Sequence, residues 1–374
     1  MKIVISHVSA GAGHQRAAEA VGAAFHQLGY GNDLSVIDAV AKVDACYRHS
    51  FTKGYHDLIR YVPAVWGFLY AFTDVLFMRG IASWLHRMSN QWHGKPFETF
   101  LLEKRPDLFI ATHFFPAEVA ARLKRQGKLS MKVIVAITDY LPHTLWLAPG
   151  VDLYAVASDR TKEELMRRGI PENRIRVLGI PIDPKFHREI SRPAAAKKLG
   201  VDPSTFTLLI ASGGLGTGPI FSLVRILSGM QEPISLLIVT GRNTALYEQL
   251  ENFRHKISHP MKVYGFIDNM EELMAASDII ISKPGGLTCA EAMAKGLPLI
   301  AVSPIPGQEE RNIRFLEKVG VALYPKKIDQ VPSLIRELRG NPGRREEIRR
   351  KEQRHSFPDA AFSIARLELE CLGV

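Results

Sequence analysis

Cysteines are scarce in this chain, and their arrangement excludes two common ways of stabilising a fold. The 374 residues include three cysteines, Cys46, Cys289 and Cys371, and none of them lies in a Cys-x-x-Cys pair. An odd number of widely separated cysteines is typical of a protein from a reducing compartment. The sequence therefore predicts neither a disulfide framework nor a structural zinc site.

Long apolar runs are also missing. A helix that spans a bilayer needs about 18 to 20 predominantly apolar residues, whereas the longest apolar stretch, Val62 to Phe72, is interrupted by Pro63 and Gly67. The apolar run near the N-terminus soon reaches a glycine-rich loop, unlike a signal peptide. We therefore expect a cytoplasmic protein that does not cross a membrane.

Negative charge is in deficit. The chain has 48 Lys and Arg against 38 Asp and Glu, which gives a net charge of +10. A basic excess suits nucleic acid, anionic lipid or a polyanionic small substrate. Since the chain has neither an RNA-recognition or zinc-finger pattern nor a basic tail, nucleic acid is the least favoured of these partners.

What the chain does contain is two successive series of strands and helices. The first begins with a strand over Lys2 to Val8, a glycine-rich loop, and a helix over His14 to Leu28. The second begins with a strand over Thr207 to Ile210 and another glycine-rich loop. A strand, helix and parallel strand form a right-handed crossover, so the order predicts an α/β fold of two Rossmann-like, doubly wound domains.

The domain boundaries follow from composition. A proline-rich stretch closes a first domain over residues 1–184, and a second domain covers residues 185–357. The amphipathic helix predicted over residues 358–374 would pack back on the first domain.

The segment from residue 45 to 100 combines aromatic and basic side chains. It contains 13 of the 32 aromatic residues, Trp66 and Trp84 among them, together with basic residues such as Arg60 and Arg79. One interpretation is a pair of helices that pack against the first sheet. The other is an interfacial helix, with aromatic residues at headgroup level and basic residues against anionic lipid. A single helix can do both with opposite faces.

The first glycine-rich loop, Ser9 to Gly13, leads directly into His14. Glycines between a strand and a helix let the backbone approach a phosphate closely. Asp38 lies at the end of the next strand, like the acid that holds a ribose in NAD enzymes, so an NAD-dependent oxidoreductase is one alternative, although the third glycine of that fingerprint is missing. His14 is either a polar helix cap or a group that transfers a proton or orients an acceptor hydroxyl.

Two further motifs follow in the second half. Residues 211–218 are rich in glycine and are placed to cradle a diphosphate. A later run leads from a buried strand through a glycine pair into a short helix that carries Thr288 and Glu291. These two residues have the spacing of a capping box, so Glu291 is either a helix cap or a carboxylate that accepts both hydroxyls of a ribose.

A last polar motif, Gln308-Glu309, stands where a turn runs into another helix. An amide and a carboxylate are suitable partners for sugar hydroxyls. The alternative is an ordinary charged helix N-terminus.

These motifs together resemble a known family. Pro-Gly-Gly-Leu-Thr-x-x-Glu-Ala followed by Pro-Gly-Gln-Glu is similar to the nucleotide-sugar site of the GT-B glycosyltransferases that include MurG. Gly-Ala-Gly-His-Gln-Arg-Ala-Ala near the N-terminus resembles the branch of monogalactosyldiacylglycerol synthases and processive diacylglycerol glucosyltransferases. So does Thr138-Asp139-Tyr140 with the His143 and Trp146 that follow it.

The resemblance implies a GT-B fold, in which two Rossmann-like domains face a cleft, and a role for each matching residue. Glu291 would bind the ribose, the backbone at Phe266 and Ile267 the uracil, and Gln308 and Glu309 the hexose. The full set implied for the donor is Ser212, Gly213, Gly214, Phe266, Ile267, Pro284, Gly285, Gly286, Thr288, Glu291, Gln308 and Glu309. The set expected on the acceptor and membrane side is Gly13, His143, Trp146, Trp66, Trp84, Arg60 and Arg79.

The resemblance also implies a reaction. Such enzymes invert the anomeric carbon, and His14 or Asp139 would be the base that takes the acceptor proton. The sequence has no Asp-x-Asp motif, and we expect neither a metal nor another cofactor, since helix dipoles and hydrogen bonds can stabilise the leaving UDP.

The predicted function is therefore transfer of a hexose from UDP-glucose or UDP-galactose to a lipid, with diacylglycerol favoured as acceptor, by an enzyme attached to the anionic cytoplasmic face of a membrane. Alternatives are a UDP-sugar 2-epimerase of the same fold, the oxidoreductase named above, and a lipid-surface binding module without activity.

Overall fold

The protein is described here from a computed structural model. The structure describes residues 1–9, 11–43, 54, 57–58, 61–74, 93–211, 213–214 and 216–372. Four residues that the sequence analysis singled out, Arg60, Arg79, Trp84 and Ser212, lie outside these ranges.

The chain divides into two compact units, each built on one parallel sheet. The first unit consists of Met1–Pro184, Ile305–Arg311 and Phe357–Val374, and the second of Lys185–Pro304 and Asn312–Ser356. The two predicted Rossmann-like domains are confirmed by these sheets, which contain six strands each.

The first unit has the strand order β2-β1-β3-β4-β5-β6, and every neighbouring pair is parallel. Its strands are β1 (Ile3–His7), β2 (Leu34–Asp38), β3 (Leu108–Ala111), β4 (Lys132–Ala136), β5 (Leu153–Val156) and β6 (Ile175–Val177). Its described α-helices are α1 (Ala12–Gln27), α2 (Pro63–Asp74), α3 (Lys95–Lys104), α4 (Phe114–Arg125) and α5 (Asp159–Arg167).

The second unit repeats this arrangement with the order β12-β11-β10-β7-β8-β9. Its strands are β7 (Phe206–Ala211), β8 (Ile234–Val239), β9 (Met261–Tyr264), β10 (Ile279–Ser282), β11 (Leu299–Ala301) and β12 (Ala322–Leu323). The helices from here to the C-terminus are α6 (Arg192–Leu199), α7 (Ile220–Leu227), α8 (Thr244–Phe253), α9 (Met270–Ala275), α10 (Gly286–Ala294), α11 (Gln308–Val319), α12 (Val331–Gly340), α13 (Pro342–His355) and α14 (Ala360–Leu372).

Helix α14 joins the core of the first unit, although it comes from the other end of the chain. Its Ile364 and Leu369 are buried in one apolar cluster with Val21 and Phe25 of α1. The central strands are buried along their whole length because helices cover both faces of a parallel sheet.

The segment Ile305–Arg311 groups with the first unit, whereas the sequence-based boundaries put it in the second domain. The segment makes polar bonds to the first unit that no sequence pattern displays. Gln308 bonds Asp139, and Arg311 bonds Asp74.

Helix α2 has two distinct faces. Tyr70 and Asp74 are buried, whereas Val65, Phe68 and Phe72 are exposed, Phe68 to 66%. Among the helices that the structure describes, none combines the length and apolar character that crossing a bilayer requires.

Each sheet has one point where the chain reverses the direction in which it adds strands. In the first sheet this point lies between β1 and β3, and in the second between β7 and β10. Ligands of open parallel sheets bind at the carboxyl ends of the strands beside such a point. The loops that follow β1 and β3, and those that follow β7 and β10, are therefore where each site should lie.

Candidate functional site

His14 lies at the reversal point of the first sheet. It is the third residue of α1, and its Nδ1 is 2.7 Å from the backbone oxygen of Thr112, the residue after β3. Because a carbonyl only accepts hydrogen bonds, Nδ1 must carry the ring proton, and Nε2 keeps its lone pair. The Thr112 hydroxyl donates back to the His14 carbonyl at 2.8 Å. The first bond orients the imidazole ring, and the second ties the His14 backbone to the same residue.

The surroundings of His14 favour the neutral imidazole. Burial lowers its pKa, and this outweighs the carboxylate of Asp139 and the bond to Thr112, which raise it. The rings of His113 and Trp146 lie 4.8 Å and 6.0 Å from the His14 ring, centroid to centroid. A neutral histidine with an unprotonated Nε2 is chemically suited to accept a proton.

Asp139 follows β4 and is buried, with 3% of its surface exposed. Its Oδ1 accepts a hydrogen bond from Nε2 of Gln308 at 2.9 Å, and its Oδ2 accepts one from the indole N–H of Trp146 at 3.1 Å. Each oxygen thus accepts one N–H and keeps a further lone pair, and the charge of Asp139 raises the pKa of His14. Both residues stay candidates for the base.

His143 joins helix α2 to the loop that follows β4. Its Nδ1 accepts from the backbone N–H of Leu145 at 3.1 Å, so its Nε2–H donates to the Tyr70 carbonyl at 3.0 Å. Burial lowers the pKa of His143 to about 4, against the raising effect of Asp74. Both ring nitrogens are occupied, which gives this residue an anchoring role.

Glu309 bonds within its own turn, where its Oε2 accepts the backbone N–H of Ile305 at 2.7 Å. Glu310 likewise accepts the N–H of Gly307 at 3.1 Å. The acidic start of α11 therefore behaves as a charged helix N-terminus in this structure. The assignment of Gln308 and Glu309 to the hexose stays a prediction.

In the second unit, the loop after β7 is held by the loop after β8. The backbone N–H of Arg242 donates to the Gly214 carbonyl at 3.0 Å, and the Asn243 side chain donates to the Gly216 carbonyl at 2.9 Å. Gly213 and Gly216 have φ values of +64° and +59°. A Cβ on Gly216 would lie 1.9 Å from the Thr240 carbonyl oxygen, so this position requires glycine.

The loop after β10 supplies an uncapped helix start. The N-cap of α10 is Gly285, which has no side chain to cap the N–H groups of the first turn. The capping box predicted as one role of Glu291 is therefore wrong, because Thr288 lies inside the helix. Glu291 is 3% exposed. Such a helix start attracts anions, as a diphosphate site needs.

The two loops of this unit meet through Lys283. Its Nζ donates to the hydroxyl of Thr217 at 3.0 Å, which brings a cation to the reversal point between β7 and β10. The buried amide of Asn312 donates to the Pro284 carbonyl at 3.2 Å and steadies the second loop. Sequence analysis did not select Lys283, although it directly precedes the Pro-Gly-Gly run.

Phe266 and Ile267 follow β9 at the far side of this sheet. The ring of Phe266 is 55% exposed, and the Arg242 guanidinium lies 5.1 Å from its centroid. An exposed ring of this kind offers a stacking surface to a base.

Asp38 at the end of β2 bonds both the loop after β1 and its own following turn. Its Oδ2 accepts from the hydroxyl of Ser9 at 2.5 Å, and its Oδ1 accepts from the backbone N–H of Val40 at 3.1 Å. This explains an acidic residue at that position without a ribose. Over the described ranges, no group of three His, Cys, Asp or Glu side chains is arranged to hold a metal ion.

Sequence reasoning missed four residues of the first unit that the structure brings to this region: Asp74, Thr112, Arg168 and Arg311. Thr112 acts through its backbone oxygen, which no residue pattern reveals. Asp74 is the last residue of a helix that is otherwise uncharged. This isolated charge is the one feature of the sequence that could have pointed to Asp74.

The chain matches two protein-family models. Residues 14–182 match the monogalactosyldiacylglycerol (MGDG) synthase model, and residues 207–364 match the glycosyltransferase family 28 C-terminal domain. A processive diacylglycerol beta-glucosyltransferase of Bacillus cytotoxicus is 31% identical over 333 residues, which are 86% of this chain and 81% of the relative. The resemblance inferred from the motifs is confirmed.

Solved structures share the fold over almost the whole chain. MurG of Acinetobacter baumannii has a TM-score of 0.58 at 16% identity and covers 98% of this chain and 99% of its own. A putative UDP-N-acetylglucosamine 2-epimerase of Listeria monocytogenes has a TM-score of 0.63 at 12% identity, covering 100% and 98%. The predicted fold class is confirmed, and the fold alone does not separate transfer from epimerisation.

Proposed function

Since this chain belongs to the family of monogalactosyldiacylglycerol synthases and processive diacylglycerol glucosyltransferases, and is thus a UDP-sugar-dependent hexosyltransferase, we propose that it transfers glucose from UDP-glucose to diacylglycerol with inversion. UDP-galactose is the alternative donor. Family membership excludes the oxidoreductase considered from the first glycine-rich loop.

The observation that carries this proposal is the orientation of His14. With Nδ1–H bonded to the Thr112 carbonyl, Nε2 takes the proton of the acceptor hydroxyl as its oxygen bonds to the anomeric carbon. The bond between that carbon and the UDP oxygen breaks on the opposite side, and UDP leaves with the electron pair. The resulting imidazolium is stabilised by the Asp139 carboxylate, which raises the pKa of His14.

The second unit supplies the groups suited to the donor. The uncapped start of α10 and the glycine loop after β7 offer N–H groups to the diphosphate. Glu291 would accept the ribose hydroxyls, and the backbone at Phe266 and Ile267 would meet the uracil. We propose that this works without a metal ion, so a chelator should leave the rate unchanged.

The acceptor lipid is expected to approach helix α2. The exposed apolar side chains of this helix and of the two residues before it recur three or four residues apart, as on one face of a helix: Tyr61, Val62, Val65, Phe68, Leu69 and Phe72. We propose that this face enters the lipid headgroup region and that the basic excess of the chain favours an anionic surface.

The principal test incubates the protein with UDP-glucose and diacylglycerol vesicles and measures UDP release and glycolipid together. Wild type should form both. Absence of both would overturn the proposal, and a 2-epimerase would instead change the sugar nucleotide without consuming lipid. His14→Ala should lower turnover while UDP still binds, whereas Glu291→Ala should mainly weaken UDP binding. The reverse pattern would show that the two roles were wrongly assigned.

Membrane attachment is tested separately by vesicle sedimentation. The double substitution F68S/F72S should reduce binding to anionic vesicles and leave UDP affinity unchanged. Met166→Ser is the matched control, because Met166 is an exposed apolar residue on α5. Equal effects of both variants would refute a specific role for α2.

A further inference from the structure

Helix α2 presses its inner face against the segment 305–311. A Cβ on Gly67 would lie 2.7 Å from Cβ of Pro306, and a Cβ on Gly307 would lie 2.7 Å from the ring of Tyr70. Each contact brings a backbone against a side chain, and each requires a glycine on one partner. The helix and the segment therefore form one closely packed element within the first unit.

Arg311 stabilises the contact between α2 and the segment 305–311. Its Nη1 donates to Oδ2 of Asp74 at 2.8 Å, and its guanidinium lies 5.0 Å from the centroid of the Tyr70 ring. The buried Asp74 also accepts from Nη1 of Arg168 at 2.8 Å and from the backbone N–H of Thr144 at 2.9 Å.

Asp74 is ionised and can therefore pair with the Arg311 guanidinium. Burial opposes its ionisation, but hydrogen bonds from Arg168 and Thr144 outweigh that effect and hold the pKa of the carboxyl well below its usual range. The carboxylate is therefore charged throughout the neutral pH range. Removing either guanidinium leaves this buried carboxylate with fewer donors and destabilises the fold.

Gln308 lies three residues before Arg311, in the first turn of α11. Side chains three positions apart lie on the same side of a helix. While Arg311 bonds Asp74, Gln308 bonds Asp139 at 2.9 Å. The same turn thus joins α2 to the carboxylate beside His14.

We propose that Arg311 is a positioning residue for the transfer reaction: its bond to Asp74 holds the first turn of α11 so that Gln308 bonds Asp139. The inference rests on the proposed function of His14 as base. It assigns to Arg311 no contact with either substrate.

The test is a double-mutant cycle with Arg311→Met and Gln308→Ala. Each single variant should lower kcat about tenfold, the effect of losing one hydrogen bond to a charged group, and the double variant should be no slower than Gln308→Ala alone. If the two single reductions in kcat instead multiplied in the double variant, Arg311 would not act through Gln308, and the proposal would be overturned.

A second readout does not depend on activity. Loss of the Gln308 N–H leaves the charge of Asp139 less compensated, so the pKa of His14 measured by NMR should rise in Gln308→Ala and in Arg311→Met, with no further rise in the double variant. An unchanged His14 titration in Arg311→Met would refute the inference. If wild type forms no glycolipid, the proposed function fails, and the NMR cycle still decides the role of Arg311.

Arg168→Met is the matched control for fold damage, because it removes the other guanidinium from the same carboxylate without touching the segment 305–311. Arg168→Met should lower the urea concentration at the midpoint of unfolding and leave the pKa of His14 unchanged. Arg311→Lys retains a cation near Asp74 and should recover part of kcat. The urea midpoint and the His14 pKa are compared between Arg168→Met and Arg311→Met. If both quantities change equally in the two variants, the role of Arg311 is structural only, and the proposal is refuted.

Discussion

The two histidines of the first unit differ in which ring nitrogen carries the proton. His14 donates from Nδ1 to the Thr112 carbonyl, whereas His143 accepts at Nδ1 and donates from Nε2 to the Tyr70 carbonyl. Burial lowers the pKa of both. The same residue type therefore acts as a candidate base in one place and as an anchor in the other, because its partners differ.

The pH dependence of kcat/KM should report His14. A base must be unprotonated, and the pKa of His14 lies below its ordinary value of 6.5, so the acid limb of the profile should fall below that pH. Asp139→Asn removes the charge that raises this pKa, and the limb should move to still lower pH. His14→Gln should lose the limb and about 10²- to 10⁴-fold in kcat. A limb that persists in His14→Gln would identify another base.

Stability at mildly acid pH should depend on His143. Its pKa is about 4 in the folded protein against an ordinary 6.5. A lowered histidine pKa stabilises the fold above the unfolded pKa, and that contribution is lost as the pH falls toward 4. Between pH 7 and pH 5 the loss is about 2 kcal/mol.

The comparison is between wild type and His143→Asn, since asparagine keeps an acceptor for the Leu145 N–H. Urea unfolding at the two pH values should show a loss of stability smaller by about 2 kcal/mol in the variant. Equal losses in both proteins would place the titrating group elsewhere.

At the scale of elements, both sheets present a glycine-rich loop beside the point where strand addition reverses. In the second unit the loop after β7 is bonded to the loop after β8, and Lys283 joins it to the loop after β10. The loop conformation is therefore set by three strand ends together.

Gly216→Ala should disrupt this loop. The position has a φ of +59°, and a Cβ would lie 1.9 Å from the Thr240 oxygen, so the backbone must move. We expect UDP affinity to fall at least tenfold, measured by calorimetry. Gly127→Ala is the control, because Gly127 has a φ of +69° with no atom within 4 Å of its Cβ and should cost only about 1–2 kcal/mol of stability. Unchanged UDP affinity in Gly216→Ala would exclude the loop from the donor site.

At the scale of the whole molecule, three separate segments of the chain form the first unit. The last of these segments contains α14, whose Ile364 is 1% exposed and lies in the apolar cluster that contains Phe25. Helix α14 is thus part of the core that also contains Ile3 and Ile5 of β1.

Ile364→Ala should lower the stability of the first unit by about 2–5 kcal/mol through cavity formation. Amide exchange should accelerate in α1 and β1, while UDP affinity should stay unchanged, because the loops proposed for UDP belong to the second unit. Leu236→Ala, in the core of that unit, should accelerate exchange in β7 and β8 instead. Loss of UDP binding in Ile364→Ala would contradict the proposed division of roles.

The sequence by itself determined the two doubly wound domains and the positions of the glycine-rich loops. These depend on local periodicity and on glycine, both of which are readable along the chain. It also indicated the family through Pro284 to Glu291 and through Gly13 and His14.

Only the tertiary structure decided which groups touch. The proton position on His14 depends on a backbone oxygen 98 residues away, and the contact of Arg311 with Asp74 joins residues 237 positions apart. Gln308 and Glu309 are adjacent in sequence, yet one bonds Asp139 and the other its own turn. Such pairings arise from the closure of the fold, because side chains far apart in sequence meet only when the sheet and its helices bring them together.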